Sequence, residues 1–283
     1  MQKILQIPLN LKKSKLQLGL TISFTLFCMV MVFPLLWAVS TSFKTYDEVL
    51  LEPFKLIPEK IMFNNYLDVF TILPFLRYFM NTFKVSSITC IATLVTSILS
   101  AYAFARLKFP GRNLLFMLYL ATLMVPRQVV LVPNFIIMRN LGQLDKHLSL
   151  ILTGTFTAYG TFLLRQFFLT IPADLEEAAI IDGCGYWRRL SNVIIPLAKP
   201  AMVTLFIITL LNIWNDFLYP LVFINSENQR TLTLGLSILR GDFDTRWNIV
   251  MAATLLSISP LLITFLFAQR FFIEGIALSG IKG

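Results

Sequence analysis

The residues of this 283-residue chain that are best suited to chemistry form a short polar group inside an apolar stretch. Asn212, Asn215 and Asp216 are spaced i, i+3 and i+4, so a helix would place them on one stripe. Polar side chains on an apolar helix either bond to a neighbouring helix or face a water-filled path. Both interpretations stay open for the two asparagines, whereas the costlier charge of Asp216 favours a path or a gate. Tyr219, in the same stretch, adds an aromatic ring with a polar hydroxyl group.

The motifs that would indicate an enzyme are absent from the sequence. It contains no Gly-x-x-x-x-Gly-Lys-[Ser/Thr] phosphate loop and no His-Glu-x-x-His zinc motif. The three cysteines, Cys28, Cys90 and Cys184, are scattered and form neither a disulfide framework nor a zinc pattern. We therefore predict that this chain has no catalytic residues and no metal site, and that it does not hydrolyse ATP.

The composition indicates a membrane protein. Hydrophobic residues make up 57% of the chain and charged residues only 14%. Soluble globular domains carry about 25% charged residues, so this composition excludes a water-soluble fold. A membrane-spanning helix needs about 20 apolar residues, and the length of the chain leaves room for several such helices but for little else. We predict an all-α membrane protein with six transmembrane helices.

Charge-free runs locate the six predicted spans, because a charge at the centre of the bilayer is costly. Two of the spans are interrupted by a charge. In the third, Arg127 is expected near the outer interface, where its side chain can reach water. In the fifth, Asp216 is expected to face protein or water rather than lipid. The spans lie within one transmembrane domain over residues 16–273, at about 16–39, 83–105, 113–132, 147–169, 200–224 and 247–270.

Basic residues set the predicted orientation. Four lysines lie in the N-terminal segment 1–15 and the short loop Arg106–Arg112 is strongly basic, which places both in the cytoplasm. Six spans then return the C-terminal tail, 274–283, to the cytoplasm. This topology explains the formal charge of +9, from 24 basic and 15 acidic residues. We therefore predict a multi-pass protein of the lipid bilayer with no nucleic-acid partner.

A short helix is predicted between the fourth and fifth spans. Pro172 fits the first helical position, acidic residues follow in the first turn, and Gly183 fits a left-handed C-terminus. The spacing i, i+3, i+4 and i+7 puts four residues on one face: Leu175, Ala178, Ala179 and Asp182. On spacing alone, this face could either dock into a groove on another protein or lie on the bilayer surface as an amphipathic connector.

Three groups of residues around this helix resemble a known motif. Glu177-Ala178-Ala179, Gly183 and Val193-x-Ile195-Pro196 are similar to the EAA motif of bacterial binding-protein-dependent ABC importers, with Val193 in place of Ile and Ile195 in place of Leu. The run Trp214-Asn215-Asp216-Phe217-Leu218-Tyr219-Pro220 and the ending Gly280-Ile281-Lys282-Gly283 resemble the MalG-like subunit of the maltose and multiple-sugar type. The resemblance extends over roughly residues 16–283.

The resemblance implies a MetI/MalG-like permease fold, in which the loop 170–199 carries a cytoplasmic coupling helix. It implies that the helix contacts a separate ATPase subunit through Leu175, Glu176, Glu177, Ala178, Ala179, Asp182 and Gly183. It also leads us to expect a translocation path lined by Asn212, Asn215, Asp216 and Tyr219. The chain would form half of the path for a carbohydrate, in the cytoplasmic membrane of a bacterium.

The same resemblance implies a set of partners. These are a second homologous permease chain, two ATP-binding subunits, an extracytoplasmic solute-binding protein and the carbohydrate itself. ATP and magnesium would be bound by the ATPase, with no cofactor in this chain. Two alternatives stay open: a secondary transporter driven by an ion gradient, and a permease of the same superfamily for a solute other than a sugar. The first would need intramembrane carboxylates, and Asp216 is the one that the predicted spans contain.

Overall fold

The computed structural model describes residues 15–239 and 245–280, which are mostly helical and contain no β-strand. Residues 1–14 of the predicted N-terminal segment and 281–283 of the predicted tail lie outside the described residues. The α-helices are, in chain order, α1 (Lys15–Ser42), α2 (Tyr46–Leu51), α3 (Asn64–Ile72), α4 (Phe75–Arg106), α5 (Arg112–Ala121), α6 (Leu131–Asn140), α7 (His147–Thr155), α8 (Ala158–Thr170), α9 (Ala173–Ile181), α10 (Tyr186–Arg189), α11 (Ile195–Leu197), α12 (Lys199–Trp214), α13 (Leu218–Phe223), α14 (Leu232–Ser237) and α15 (Trp247–Gly280). A π-helical turn, Leu190–Ile194, joins α10 to α11.

The described residues divide into two compact units, one within Met1–Val69 and Asp242–Leu255 and the other within Phe70–Gly241 and Leu256–Gly283. Buried polar groups hold the first unit together. The Asn65 amide donates to the carbonyls of Ser42 and Lys44, both at 2.8 Å, and its oxygen accepts from Asn248 at 2.9 Å. The fully buried Lys44 ammonium donates to the Glu52 carbonyl at 3.0 Å. These bonds satisfy polar groups that would otherwise be costly to bury.

The long helix α4 is the centre of the second unit, where α7, α8 and α12 pack against it. Glycine allows the close approach of α8. A Cβ atom on Gly160 would lie 2.5 Å from the Ser97 Oγ of α4. A core of apolar side chains joins α4, α8, α12 and the segment before α12. Its members include Ile98, Ala101, Ala105, Leu164, Phe168, Ile194, Ala198 and Leu205.

Three described helices are long and apolar enough to cross a membrane without interruption: Leu18–Ser42, Phe75–Arg106 and Trp247–Gln269. Two further pairs are bent, namely His147–Thr155 with Ala158–Thr170 by 41°, and Tyr186–Leu197 with Lys199–Trp214 by 78°. If each bent pair is one span, the described residues provide up to five spans. The prediction of an all-α membrane fold is therefore correct, whereas six uninterrupted spans are not observed in the described ranges.

The prediction of one helix over 113–132 is wrong. Helix α5 ends at Ala121, a 3₁₀ turn covers Thr122–Met124, and α6 begins at Leu131. The break precedes Pro126, whose ring disfavours a helical conformation at the residue before it. Val125 is accordingly extended, with φ −85° and ψ 116°. The apolar character of this stretch continues through the break and for that reason did not reveal it.

The predicted fifth span, 200–224, is also divided. Helix α12 ends at Trp214 and α13 starts at Leu218. The Asn215 amide donates to the Leu211 carbonyl at 2.8 Å, and Asp216 Oδ1 accepts from the Tyr219 backbone N–H at 3.3 Å. Side chains that bond to the backbone in this way compete with the helical pattern and start a new helix. The polar residues that suggested a path thus also break the helix.

Candidate functional site

The short helix between the bent pairs has the ends that its sequence predicts. Asp174 and Glu176 lie in the first turn of α9, where negative charge is favourable. At the other end, Gly183 has φ +76° and its N–H donates to the Ile180 carbonyl at 2.9 Å. The Cys184 N–H donates to the Ala179 carbonyl at 2.8 Å, which completes a Schellman motif. Pro172 caps the helix instead of occupying its first position.

The side chains of α9 divide between two surroundings. Leu175, Glu177, Ala178 and Asp182 are exposed, and so is Gly183. Ala179 and Glu176 are buried against the chain. The face predicted from the spacing is therefore divided. Ala179 is buried together with Glu176, whereas Leu175, Ala178 and Asp182 are exposed. The exposed surface of α9 is free to contact another molecule.

Glu176 is held by a basic residue from a distant part of the chain. Its Oε1 lies 3.0 Å from the Nε of Arg106, an ion pair without the alignment of a hydrogen bond. The Arg106 Nη2 donates to the carbonyls of Phe168 at 2.6 Å and Ile171 at 2.7 Å. The side chains of Arg106 and Glu176 are only 13% and 9% exposed. From the sequence alone, Arg106 is assigned only to a basic loop, because no local pattern connects residues 70 positions apart.

A second candidate site is a cavity of about 720 Å³ in the second unit. Its walls come from α4, α6, α7, α8, α12, α13 and the segment between α5 and α6. Of the four residues predicted for a path, Asn212 and Tyr219 line the cavity, whereas Asn215 and Asp216 do not. The break after Trp214 separates the predicted stripe. The other polar lining residues are Thr93, Thr122, Arg127, Asn134, Thr153, Thr157, Tyr159 and Thr209.

One wall of this cavity is a bonded polar group. The Arg127 Nη2 lies 3.3 Å from Asp216 Oδ2, and the guanidinium carbon lies 4.7 Å from the centre of the Tyr219 ring. The Tyr219 hydroxyl donates to the Arg127 carbonyl at 3.3 Å and accepts from the Asn134 amide at 3.3 Å. The Arg127 side chain, which was expected to reach water, is half exposed and also pairs with Asp216. The arrangement ties α13 to the segment before α6, and offers donors and acceptors to a solute rich in hydroxyl groups.

The loop between α6 and α7 is fixed by Asp145. Its Oδ1 accepts from the backbone N–H groups of Asn225 at 2.9 Å and Ser226 at 2.8 Å, and Oδ2 accepts from the Ser226 hydroxyl. The side-chain bond from Ser226, followed by these backbone bonds, holds the pKa of Asp145 below its ordinary value. Asp145 adopts φ +60° in making these contacts. They connect this loop to the segment that follows α13.

The described residues contain no group of three or more histidine, cysteine, aspartate or glutamate side chains that could hold a metal ion. Cys28, Cys90 and Cys184 are free thiols in exposed, buried and intermediate positions. The contacts described at both candidate sites are hydrogen bonds, ion pairs and packing contacts.

A family model described as "Binding-protein-dependent transport system inner membrane component" matches residues 93–277. The match covers both the cavity and α9.

Curated relatives match over most of the chain. The probable ABC transporter permease protein YurM of Bacillus subtilis (strain 168) is 34% identical over 91% of this chain and 86% of its own length. The arabinooligosaccharides transport system permease protein AraQ of Halalkalibacterium halodurans is 33% identical over 93% of this chain and 96% of its own. The sn-glycerol-3-phosphate transport system permease protein UgpE of Pectobacterium atrosepticum is 35% identical over 88% and 91%.

Solved structures agree with the fold. A chain of a bacterial ABC transporter involved in the import of the acidic polysaccharide alginate aligns with a TM-score of 0.84, at 24% identity, over 92% of this chain and 97% of that one. A chain from the alginate transporter in complex with an alginate pentasaccharide-bound periplasmic protein aligns with a TM-score of 0.68 at 18% identity.

Proposed function

Since the chain belongs to the family of inner membrane components of binding-protein-dependent transport systems, we propose that it is the permease subunit of an ATP-driven importer for a carbohydrate. The observation that carries the substrate class is the similarity to AraQ, which covers 93% of this chain and is named for the transport of arabinooligosaccharides. The hydroxyl and amide groups that line the cavity support it, since such groups hydrogen-bond to sugars. A solute other than a sugar is the second candidate, favoured by the relative named for sn-glycerol-3-phosphate.

In this function, Asn212 and Tyr219 contact the solute within the cavity. Asn215 and Asp216 act beside it, at the break between α12 and α13. Asp216 holds Arg127 against the Tyr219 ring. This contact sets the position of the cavity wall that Arg127 and Tyr219 form. The chain forms half of the translocation path and a second homologous permease chain forms the rest.

The exposed side of α9 is the proposed contact with a separate ATP-binding subunit. Two such subunits bind ATP and magnesium, and this chain contributes no cofactor site. The support is the exposure of Leu175, Glu177 and Ala178 on a short helix whose ends are fixed by local bonds. Asp182 and Gly183 complete this surface. Both termini and α9 lie on the cytoplasmic side of a bacterial membrane, and an extracytoplasmic solute-binding protein delivers the carbohydrate on the opposite side.

The test is uptake into proteoliposomes that contain this chain, the second permease and the ATPase subunits, with the solute-binding protein supplied on its docking side. We expect ATP-dependent uptake of a labelled oligosaccharide chosen by a thermal-shift screen of the binding protein against saccharides and glycerol phosphates. Uptake that continues without ATP would refute the proposal, and binding of glycerol phosphates alone would favour the second candidate.

The proposed contact with the ATPase has its own test. Glu177→Lys reverses an exposed charge on α9, and Gly183→Asp places a side chain in a left-handed conformation. We expect both variants to insert into the membrane and to lose uptake. Normal uptake in both would remove α9 from the mechanism.

A further inference from the structure

The buried ion pair between Arg106 and Glu176 joins three helices at one point. Arg106 is the last residue of α4. Its guanidinium donates to the carbonyls of Phe168 and Ile171 at the end of α8, where a positive charge is favoured by the helix dipole. Its Nε faces the carboxylate of Glu176 in α9. One side chain therefore connects the ends of two helices that line the cavity to the helix whose other side is exposed.

The position of α9 depends on this contact. The helix has nine residues, and helices shorter than about 12 residues are marginal unless other parts of the protein hold them. Of its side chains, only Glu176 and Ala179 are buried. Ala179 offers a single methyl group, whereas Glu176 forms an ion pair with Arg106 at the end of α4.

The surroundings of the pair reinforce the role of Glu176. The Tyr102 hydroxyl, one turn before Arg106 on α4, is buried and has no hydrogen-bond partner. It interacts electrostatically with Glu176, Arg189 and Arg106. Arg189, on α10, stacks its guanidinium 4.6 Å from the Tyr186 ring centre. Glu176 is thus the carboxylate among these neighbours, and Arg106 is its ion-pair partner.

We infer that Arg106 and Glu176 are positioning residues that lock α9 to the ends of α4 and α8, so that displacement of α9 moves the helices of the cavity. This inference rests on the proposed function, because it requires that a partner moves α9. It gives Glu176 a part distinct from that of its neighbour Glu177. Glu177 faces outward to the partner, whereas Glu176 faces inward and passes the movement on.

The test measures ATP hydrolysis and solute uptake in the same proteoliposomes of the assembled complex. In Glu176→Gln, we expect the ratio of uptake to ATP hydrolysis to fall about tenfold, the size of effect that residues linking two sites produce. Hydrolysis itself is expected to stay close to the wild-type rate. Glu59→Gln is the control, since Glu59 is an exposed carboxylate that pairs with Lys55 and belongs neither to α9 nor to the cavity wall, and its ratio should be unchanged.

A double variant separates positioning from a simple folding defect. Arg106→Met with Glu176→Met buries no unpaired charge, and apolar replacement of a buried ion pair often preserves stability. We expect this variant to assemble and still to show a reduced ratio, and it keeps the test available if single variants fail to assemble. A wild-type ratio in the double variant, or in Glu176→Gln, would overturn the inference. A wild-type complex without ATP-dependent uptake would instead refute the proposed function itself.

Discussion

The contact between α8 and α4 at Gly160 allows a quantitative prediction for Gly160→Ala. A Cβ atom at this position would lie 2.5 Å from Ser97 Oγ, 2.8 Å from Thr157 Cγ2 and 3.2 Å from Leu205 Cδ1. The first two distances are shorter than any ordinary contact of a methyl group. Ser97 is itself buried, with 1% exposure, and belongs to the middle of α4. The added methyl group must therefore push the two helices apart.

The cost follows from two opposing effects. Overpacking a well-filled core destabilises a protein by about 1–3 kcal/mol. Replacing glycine by alanine inside a helix stabilises the helix by about 1 kcal/mol. Because two of the contacts are shorter than 3.0 Å, the upper part of the overpacking range applies, about 2–3 kcal/mol, and the net loss is about 1–2 kcal/mol. For a chain of this length, such a loss lowers the melting temperature by about 2–8 °C.

The assay is the melting temperature of the purified chain in detergent, followed by tryptophan fluorescence. Gly19→Ala is the matched control, since no atom lies within 4 Å of the corresponding Cβ position on α1. This variant should melt at or above the wild-type temperature. Ser97→Ala removes the nearest clashing atom, so the double variant Gly160→Ala with Ser97→Ala should recover part of the loss. If Gly160→Ala melts like the wild type, the close approach of α8 to α4 is refuted.

Three further perturbations have defined outcomes. Asp216→Asn breaks an ion pair in which Arg127 is 51% exposed. Because solvent screens an exposed pair, we expect a loss of about 1 kcal/mol in the free energy of unfolding and a change of about fivefold in the uptake rate. The charge-swapped variant Arg127→Asp with Asp216→Arg should reverse both effects. Gly183→Ala forces alanine to φ +76° at a cost of about 1–2 kcal/mol, which hydrogen exchange should report as weaker protection of α9. The lowered pKa of Asp145 means that its bonds stabilise the fold above the unfolded pKa of about 4 and lose this effect as pH falls through the native value. The melting temperatures of wild type and Asp145→Asn should therefore converge toward acidic pH, and a difference that is independent of pH would contradict this.

The ends of α9 could be predicted from the sequence because they depend on neighbouring residues. Asp174 and Glu176 in the first turn and Gly183 at the C-terminus act within one or two turns of the chain. The Schellman bonds at Ile180 and Ala179 are the ones that a glycine at 183 favours. Such local chemistry needs no knowledge of the fold, and the same holds for the long apolar helices.

The interruptions of the predicted spans could not be found from apolar character. Hydrophobicity continues on both sides of Pro126 and of Asp216, and it records which residues avoid water rather than where the backbone bends. At the first break the proline ring decides the conformation of Val125. At the second, the carboxylate of Asp216 bonds to the N–H of Tyr219. Here, single backbone effects override a hydrophobic pattern of about 20 residues.

The buried pair of Arg106 and Glu176 lay beyond sequence reasoning for a different reason. Each residue had a satisfactory local explanation, the first as part of a basic loop and the second as a helix-dipole charge. Their contact arises because α4 ends beside the first turn of α9, which depends on the packing of the whole unit. The pairing of Arg127 with Asp216 has the same origin. Long-range contacts between charges become visible only when the helices that carry them are placed.

The two candidate sites are connected by the same two helices. Helix α4 carries Thr93 in the cavity wall and Arg106 at its end, 13 residues or about 20 Å apart along a helix. Helix α8 starts at the cavity with Ala158 and Tyr159, and the carbonyls to which Arg106 donates lie at its other end. Because Gly160 brings α8 into tight contact with α4, the two helices cannot slide without a clash and must move together. In the proposed mechanism, a displacement of α9 would therefore be delivered to the cavity by a rigid pair of helices, rather than by a chain of flexible side chains.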